Sequence, residues 1–198
     1  MTDPQTWVAP TYERWAELLT AAPAATWDAP TLCDKWLTRH VVAHVTMPAR
    51  LNPQQFNAEM AAARGDFAML SDTVARRDAS LPSDELLSQL RAPKLHEWLP
   101  PGGGAAGALT HAVIHSLDVT IALDRPPVAP QEAVNTVLDL LTATNGTLFG
   151  FDLTDIRIEA TDTAWSRGKG RTIRADSGSL VALLSGRTLP DGRKLPRI

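Results

Sequence analysis

The sequence has little of several features that would place it in a specialised class of protein. A single cysteine, Cys33, excludes an internal disulfide framework and is typical of a reducing cytoplasm. No run approaches the roughly 20 consecutive apolar residues of a membrane-spanning helix, and the first ten residues lack the basic and apolar segments of a signal peptide. The net charge of -3 provides no basic field for nucleic acid or an anionic membrane. We therefore expect a cytoplasmic globular protein without nucleic-acid or membrane partners.

Helical periodicity is what the first two-thirds of the sequence does contain. Apolar residues recur at helical spacing in segments near residues 7–19, 38–47, 54–79, 83–95, 109–123 and 130–148. After Gly146, IRIEAT and RTIRAD alternate as strands do, and the DTAWSRGKG between them is typical of a turn. SGSLVALLSGR then indicates a short helix that ends at Gly186. The sequence thus predicts an α+β protein, with a helical domain over residues 1–150 and a small α/β domain over residues 151–198.

Four of the five histidines form two pairs spaced by four residues, His40 with His44 and His111 with His115. Such a pair shares one helix face, so two imidazoles can converge on one ion and a neighbouring helix can add a third ligand. Three neutral imidazoles would leave a divalent charge uncompensated and a coordination position open, which suits a Lewis acid or the activation of a thiol. Spacing alone does not choose between His40 and His44, and His96 has no partner by spacing.

The same histidines also have plainer explanations. An isolated pair at this spacing is usually coincidental, and a histidine in an apolar helix needs a polar partner whether or not it binds metal. Asp118 comes one turn after His115, where it could accept a hydrogen bond from that ring or simply face solvent. Two alternatives to a metalloenzyme therefore stay open: a metal-binding regulatory or stress-response protein without turnover, and a helical bundle that binds nothing.

The histidines lie in motifs that arrive in a recognisable order. TLCDKWLTRHVVAHV, with Trp36 and His44, and THAVIHSLDVTIAL, with His115 and Asp118, resemble the metal motifs of the maleylpyruvate isomerase-like, mycothiol-dependent enzymes of the DinB/YfiT-like superfamily. The run from 157 to 187 resembles the small α/β domain attached to the bundle in that group. The resemblance implies a DinB-like up-down four-helix bundle in the first domain. It also selects His44 over His40, so that the implied metal ligands are His44, His111 and His115, with Asp118 in the shell behind them.

One position departs from the family pattern. Four residues before the second-motif histidine the isomerases typically have a glutamate, whereas this chain has His111. The implied site is one charge more positive, and the set of three histidines looks more like other DinB-type proteins, including thiol transferases. The resemblance implies an enzyme, monomeric or homodimeric, that uses a low-molecular-weight thiol such as mycothiol on a small electrophile. Zinc is the metal expected from the ligand type, although imidazole sites also accept nickel, cobalt or iron.

Further side chains are candidates for ligand binding, and none is assigned as catalytic. Arg187 could hold an anionic thiol cofactor or a substrate carboxylate, because guanidinium binds such groups in bidentate fashion; a surface arginine near a helix end is the alternative. Trp36 and Trp165 could line a cleft between the two domains, although buried tryptophans are more often core anchors. Cys33 has no basic partner close in sequence, which favours a buried structural cysteine over a nucleophile.

Overall fold

The computed structural model describes residues 2–197. The helices in this range are α1 (Val8–Ala21), α2 (Thr38–Val45), α3 (Met47–Arg50), α4 (Pro53–Ala62), α5 (Phe67–Asp78), α6 (Ser83–Leu90), α7 (Pro93–His96), α8 (Gly104–Thr120), α9 (Gln131–Ala143) and α10 (Ser177–Leu184). The strands are β1 (Ile156–Ala160), β2 (Ser166–Gly168) and β3 (Arg171–Ala175), which form one sheet. A mostly helical chain with a small sheet near its end confirms the predicted α+β class. Within residues 2–197, no helix combines the length and the apolar character that crossing a membrane requires.

Helix α8 is the centre of the helical part. It packs against α1, α2, α9 and α10, and most of its residues are buried, because its side chains are apolar around most of the helix. Helix α1 turns a stripe that includes Tyr12, Trp15 and Leu19 toward this core. Helix α2 buries Val41, Val42 and Val45 between α5 and α8. The packing therefore brings α1, α2 and α8 together; that the long helices form an up-down four-helix bundle stays a prediction.

One predicted helix is divided in the structure. The expectation of a continuous helix over 54–79 is wrong, because Arg64 and Gly65 both have positive φ angles, of 54° and 79°. Asp66 then begins α5 by accepting hydrogen bonds from the backbone N–H groups of Ala68 and Met69. The apolar stripe alone did not reveal the break, since the same spacing continues on both sides of it.

The C-terminal unit is a small sheet covered by α10. Strand β1 lies in the middle of the sheet, antiparallel to β2 and parallel to β3. Strand β2 falls in the segment predicted as a turn, and it ends at Gly168, where a Cβ atom would lie 2.1 Å from the carbonyl oxygen of Ile156. Helix α10 packs on α9 and α8, and one hydrophobic core runs from the helices into β1 and α10. The domain boundary at residue 150 stays a prediction.

Candidate metal centre

Three of the five histidines meet where α2 crosses α8. His44 lies in the last turn of α2, and His111 and His115 are one turn apart on α8. The ring centroids are 4.8 to 5.1 Å apart, and one ring nitrogen from each histidine lies within 4.8 Å of the others. The Nε2 atoms of His44 and His111 face each other at 3.2 Å. The structure thus brings together the three side chains that the sequence motifs selected.

Both facing rings are kept neutral by their surroundings. The pKa values of His44 and His111 lie well below the usual range for histidine, mainly because burial penalises the charged ring. Neighbouring imidazoles lower both values further. A neutral imidazole has a lone pair on one nitrogen, which is the form that ligates a metal ion.

The residues present fit a divalent metal ion. His44 is buried, and its Nδ1 atom has no hydrogen-bond partner among the described residues, so the only polar contact of this ring is through Nε2 into the cluster. The nitrogen that faces the other two imidazoles is therefore the one available to a metal ion. Neutral nitrogen donors of this kind suit zinc and other borderline divalent ions.

The other two histidines lie outside the cluster. His40 is one turn before His44, but its Nδ1 atom accepts a hydrogen bond from the backbone N–H of Leu37 at the start of α2. The His96 Nε2 atom lies 2.7 Å from the carbonyl oxygen of Leu90. Both rings are therefore used in local structure.

His115 is held by a buried carboxylate. Its Nδ1 atom lies 2.9 Å from Oδ2 of Asp118, which is 1% exposed. Burial alone would raise the pKa of Asp118, but hydrogen bonds from His115 and Arg187, with the charge of Arg187, outweigh burial and hold the pKa below its usual range. The ionised carboxylate favours a proton on Nδ1 of His115, which leaves the lone pair on Nε2 as the one that could bind a metal ion.

Asp118 also joins two other chain segments. Arg187, just after α10, donates from Nε to Oδ1 at 2.7 Å and from Nη2 to Oδ2 at 2.9 Å. The thiol of Cys33 lies 3.0 Å from Oδ2. We call Cys33, Asp118 and Arg187 the ionic side of the cluster. Sequence analysis placed Asp118 correctly near His115, but it had no signal for Cys33, which is 85 residues away in the chain.

The opposite side of the cluster is aromatic. The hydroxyl of Tyr12 lies 3.3 Å from Nδ1 of His111, and the Tyr12 ring is stacked on His96 with centroids 6.1 Å apart. Trp98 meets His111 edge to face at 5.4 Å. We call Tyr12, His96 and Trp98 the aromatic side. Sequence reasoning missed Tyr12 and Trp98, because no local spacing connects them to His111.

A cavity of about 770 Å³ opens beside the ionic side. Residues 30–34 and Trp36 form one wall, residues 186–188 and Pro190 another, and His115 lines the cavity while His44 and His111 do not. The Trp36 ring lies 5.2 Å from that of His44, and its Nε1 donates to Asp72. The predicted ligand-binding residues Trp36 and Arg187 thus both lie at this cavity, and so does Cys33, which is only partly buried.

Trp165 lies elsewhere. Its Nε1 atom donates to Oδ1 of Asp139 on α9, and the ring packs against the hydrophobic core from the start of β2. It does not line the cavity. Of the two alternatives for Trp165, a cleft residue or an anchor, the structure shows the anchor, which joins β2 to α9.

Comparison with known proteins agrees with the motifs. Residues 8–95 match the family model of the mycothiol maleylpyruvate isomerase N-terminal domain. The fold is similar to that of a crystal structure of the mycothiol-dependent maleylpyruvate isomerase, with 15% identity and a TM-score of 0.55 over 98% of this chain and 94% of that one. A crystal structure of a histidine-to-alanine mutant of the isomerase gives 14% identity and a TM-score of 0.53, with the same coverage.

No curated protein sequence matches this chain significantly. The likeness to the solved structures is one of fold, whereas the matched domain contains Trp36 and His44 and ends before His111 and His115. The resemblance drawn from the sequence motifs is thus confirmed: residues 8–95 are similar to the N-terminal domain of the mycothiol maleylpyruvate isomerase family, and the fold of the chain is similar to that of the isomerase.

Proposed function

We propose that this protein is a zinc-dependent enzyme that uses a low-molecular-weight thiol such as mycothiol, either to transfer the thiol to a small electrophile or to isomerise the electrophile through a thiol adduct. The observation that carries the proposal is the convergence of three imidazoles, two of them held neutral by burial, beside a cavity large enough for a small molecule. The match of residues 8–95 to the mycothiol maleylpyruvate isomerase N-terminal domain supports the thiol as cosubstrate.

His44, His111 and His115 would hold the metal ion. When bound, a divalent ion supplies Lewis acidity and lowers the pKa of a thiol ligated to it, which makes the thiolate available as a nucleophile at neutral pH. Asp118 accepts a hydrogen bond from the N–H at Nδ1 of His115 and so leaves the lone pair of Nε2 for the metal ion. The protein would thus contribute three neutral nitrogen donors and leave a coordination position of the metal ion open for a ligand.

The cavity walls would bind and orient the two small molecules. Trp36 presents an aromatic wall held in place by Asp72. Arg187 is committed to Asp118 through Nε and Nη2, whereas its Nη1 contacts only the carbonyl oxygen of Ser185, at 3.2 Å, among the described residues. An anionic or carbonyl oxygen of a ligand could therefore bind Nη1 without breaking the ion pair. We expect the enzyme to act in the cytoplasm, as a monomer or a homodimer.

The test is metal content followed by turnover. Protein purified without added metal should hold about one divalent ion per chain, and thiol consumption with an electrophile should depend on that ion. His111→Ala should lose both metal and turnover. His40→Asn is the matched control, because it changes a histidine of the same spaced pairs that lies outside the cluster.

Each outcome separates the alternatives. Absence of stoichiometric metal in the wild-type protein contradicts the proposal. Stoichiometric metal with a large stabilisation of the fold, but no thiol-dependent reaction across a panel of electrophiles, favours a metal-binding protein without turnover.

A further inference from the structure

Tyr12 stands in an unusual position for the only tyrosine in the chain. It lies in the middle of α1, is 1% exposed, and extends its hydroxyl toward the histidine cluster. Its ring is nearly parallel to that of Trp15, at 6.5 Å and an interplanar angle of 12°, and to that of His96, at 6.1 Å and 6°. Two flat neighbours fix the plane of the ring, so the position of the hydroxyl is set by the packing of α1.

The hydroxyl has one hydrogen-bond partner in the described part of the chain, the Nδ1 atom of His111 at 3.3 Å. A buried tyrosine hydroxyl is costly to leave unpaired, so this contact is expected to persist. The opposite nitrogen of the same ring, Nε2, faces Nε2 of His44. Tyr12 and the cluster therefore hold His111 from its two ends.

The three histidines differ in the hydrogen-bond partner of their Nδ1 atoms. His115 has an ionised carboxylate at Nδ1, His111 has a neutral hydroxyl, and Nδ1 of His44 has no partner among residues 2–197. Apart from the contact between their own Nε2 atoms, Tyr12 provides the one hydrogen bond that either His44 or His111 has among residues 2–197. Outer hydrogen bonds of this kind set the tautomer and the ring orientation of metal-ligating histidines.

We propose that Tyr12 is a positioning residue for His111: the hydroxyl oxygen accepts a hydrogen bond from the N–H at Nδ1 and so directs the lone pair of Nε2 into the cluster. The inference rests on the proposed function, because it requires that the cluster holds a metal ion. Tyr12 does not itself contact substrate or metal. Tyr12 on α1 instead makes His111 on α8 a better metal ligand.

The experiment is a cobalt titration of four proteins. Wild type, Tyr12→Phe, His111→Glu and the double variant are freed of metal and titrated with Co(II), whose visible absorption reports both affinity and ligand geometry. Tyr12→Phe should weaken binding about ten-fold, the lower end of the range for losing an outer partner of a metal-ligating histidine, and should shift the absorption band. In the His111→Glu background, which keeps a possible ligand but has no Nδ1 atom, Tyr12→Phe should change affinity less than about two-fold, because coupled sites lose their interaction when one partner is removed.

A second buried hydroxyl on the same helix provides the control. Thr11 is 0% exposed and bonds only to the carbonyl oxygen of Trp7 in the described structure, so Thr11→Val removes a hydroxyl from α1 without touching the cluster. It should leave Co(II) affinity unchanged. Thermal melting of the metal-free proteins verifies that Tyr12→Phe folds as the wild type does.

Two results overturn the inference. One is unchanged affinity and spectrum in Tyr12→Phe. The other is an equal loss from Tyr12→Phe in both backgrounds, which means that the tyrosine acts through packing and not through His111. Failure of the wild-type protein itself to bind Co(II) contradicts the proposed function, and with it this inference; since it is seen in the wild type alone, it is distinguishable from the other two.

Discussion

The ionic and aromatic sides support the same three histidines by different means. On the ionic side, Asp118 gives His115 a full negative charge, and Arg187 balances that charge within 3 Å. On the aromatic side, Tyr12 gives His111 a neutral hydroxyl, and flat rings hold the tyrosine in place. A charge-assisted hydrogen bond is roughly twice as strong as a neutral one. His115 should therefore be the most strongly supported ligand of the three.

The two sides are also formed by different segments of the chain, and only one of them lies at the cavity. The ionic side lies at the cavity and is assembled from the loop before α2, from α8 and from the segment after α10. The aromatic side is assembled from α1 and from residues in and just after α7. A ligand in the cavity therefore contacts the ionic side directly. The aromatic side can influence such a ligand only through His111.

Loss of a ligand should have the largest effect and should be similar on the two sides. His115→Ala and His111→Ala should each weaken metal binding by more than about 100-fold, since removing a ligand costs more than removing its outer partner. Competition with a chromophoric chelator measures the affinity. Retention of tight binding in either variant would show that the other two histidines and a solvent molecule suffice, and would remove that histidine from the site.

Loss of the charge behind His115 should have the next largest effect. Asp118→Asn keeps the shape of the side chain but removes the anion, and should weaken metal binding about 10- to 100-fold. The loss should exceed that of Tyr12→Phe when both are measured in the same titration. Equal losses would mean that the charge of Asp118 contributes nothing beyond a hydrogen bond, and the distinction between the two sides would fail.

The contacts within α8 were the ones that the sequence could predict. His111, His115 and Asp118 are neighbours because residues three and four apart share a helix face, so spacing was sufficient. The choice of His44 needed the order of the motifs, since His40 has the same spacing. Helix periodicity likewise predicted α1, α2 and α8, with ends that differ by a few residues. Local spacing does carry part of a site when that part lies on one helix.

Residue spacing could not predict the contacts between different helices and loops. Tyr12 is 99 residues from His111 and Cys33 is 85 from Asp118, and only the packing of α1 and of the loop before α2 brings them close. The break at Arg64 and Gly65 was missed because a stripe of apolar residues can continue across a left-handed turn. Arg187 was recognised as a bidentate binder, but the carboxylate that it binds in the structure is the protein's own Asp118.

Stability should distinguish the sides as well. Arg187→Met leaves the Asp118 carboxylate buried without its cation, and should lower the free energy of unfolding by about 3 to 5 kcal/mol, as breaking a buried ion pair does. The double variant Asp118→Asn/Arg187→Met should recover part of that loss, because the unpaired charge is gone. Tyr12→Phe, which removes one neutral hydrogen bond, should cost only about 1 kcal/mol. Urea unfolding of the metal-free proteins measures all three, and additive losses in the double variant would contradict a coupled pair.

The smallest effect concerns the reactivity of Cys33, which reports on the ionic side alone. Burial raises the pKa of its thiol and the nearby charge of Asp118 raises it further, while Arg187 lowers it by less than these two together. The thiolate is the reactive form, so alkylation by iodoacetamide near pH 8 should be much slower in the folded protein than in urea, where the pKa returns to about 8.5. Because the folded pKa lies above the working range, the rate should keep rising with pH up to about pH 9.5 without the plateau that a free thiol of pKa about 8.5 begins to show.

Asp118→Asn removes the negative charge and should speed alkylation several-fold, whereas Tyr12→Phe should leave the rate unchanged. A wild-type rate equal to that of the unfolded chain would mean that Asp118 does not hold the thiol protonated, and that the ionic side ends at Arg187.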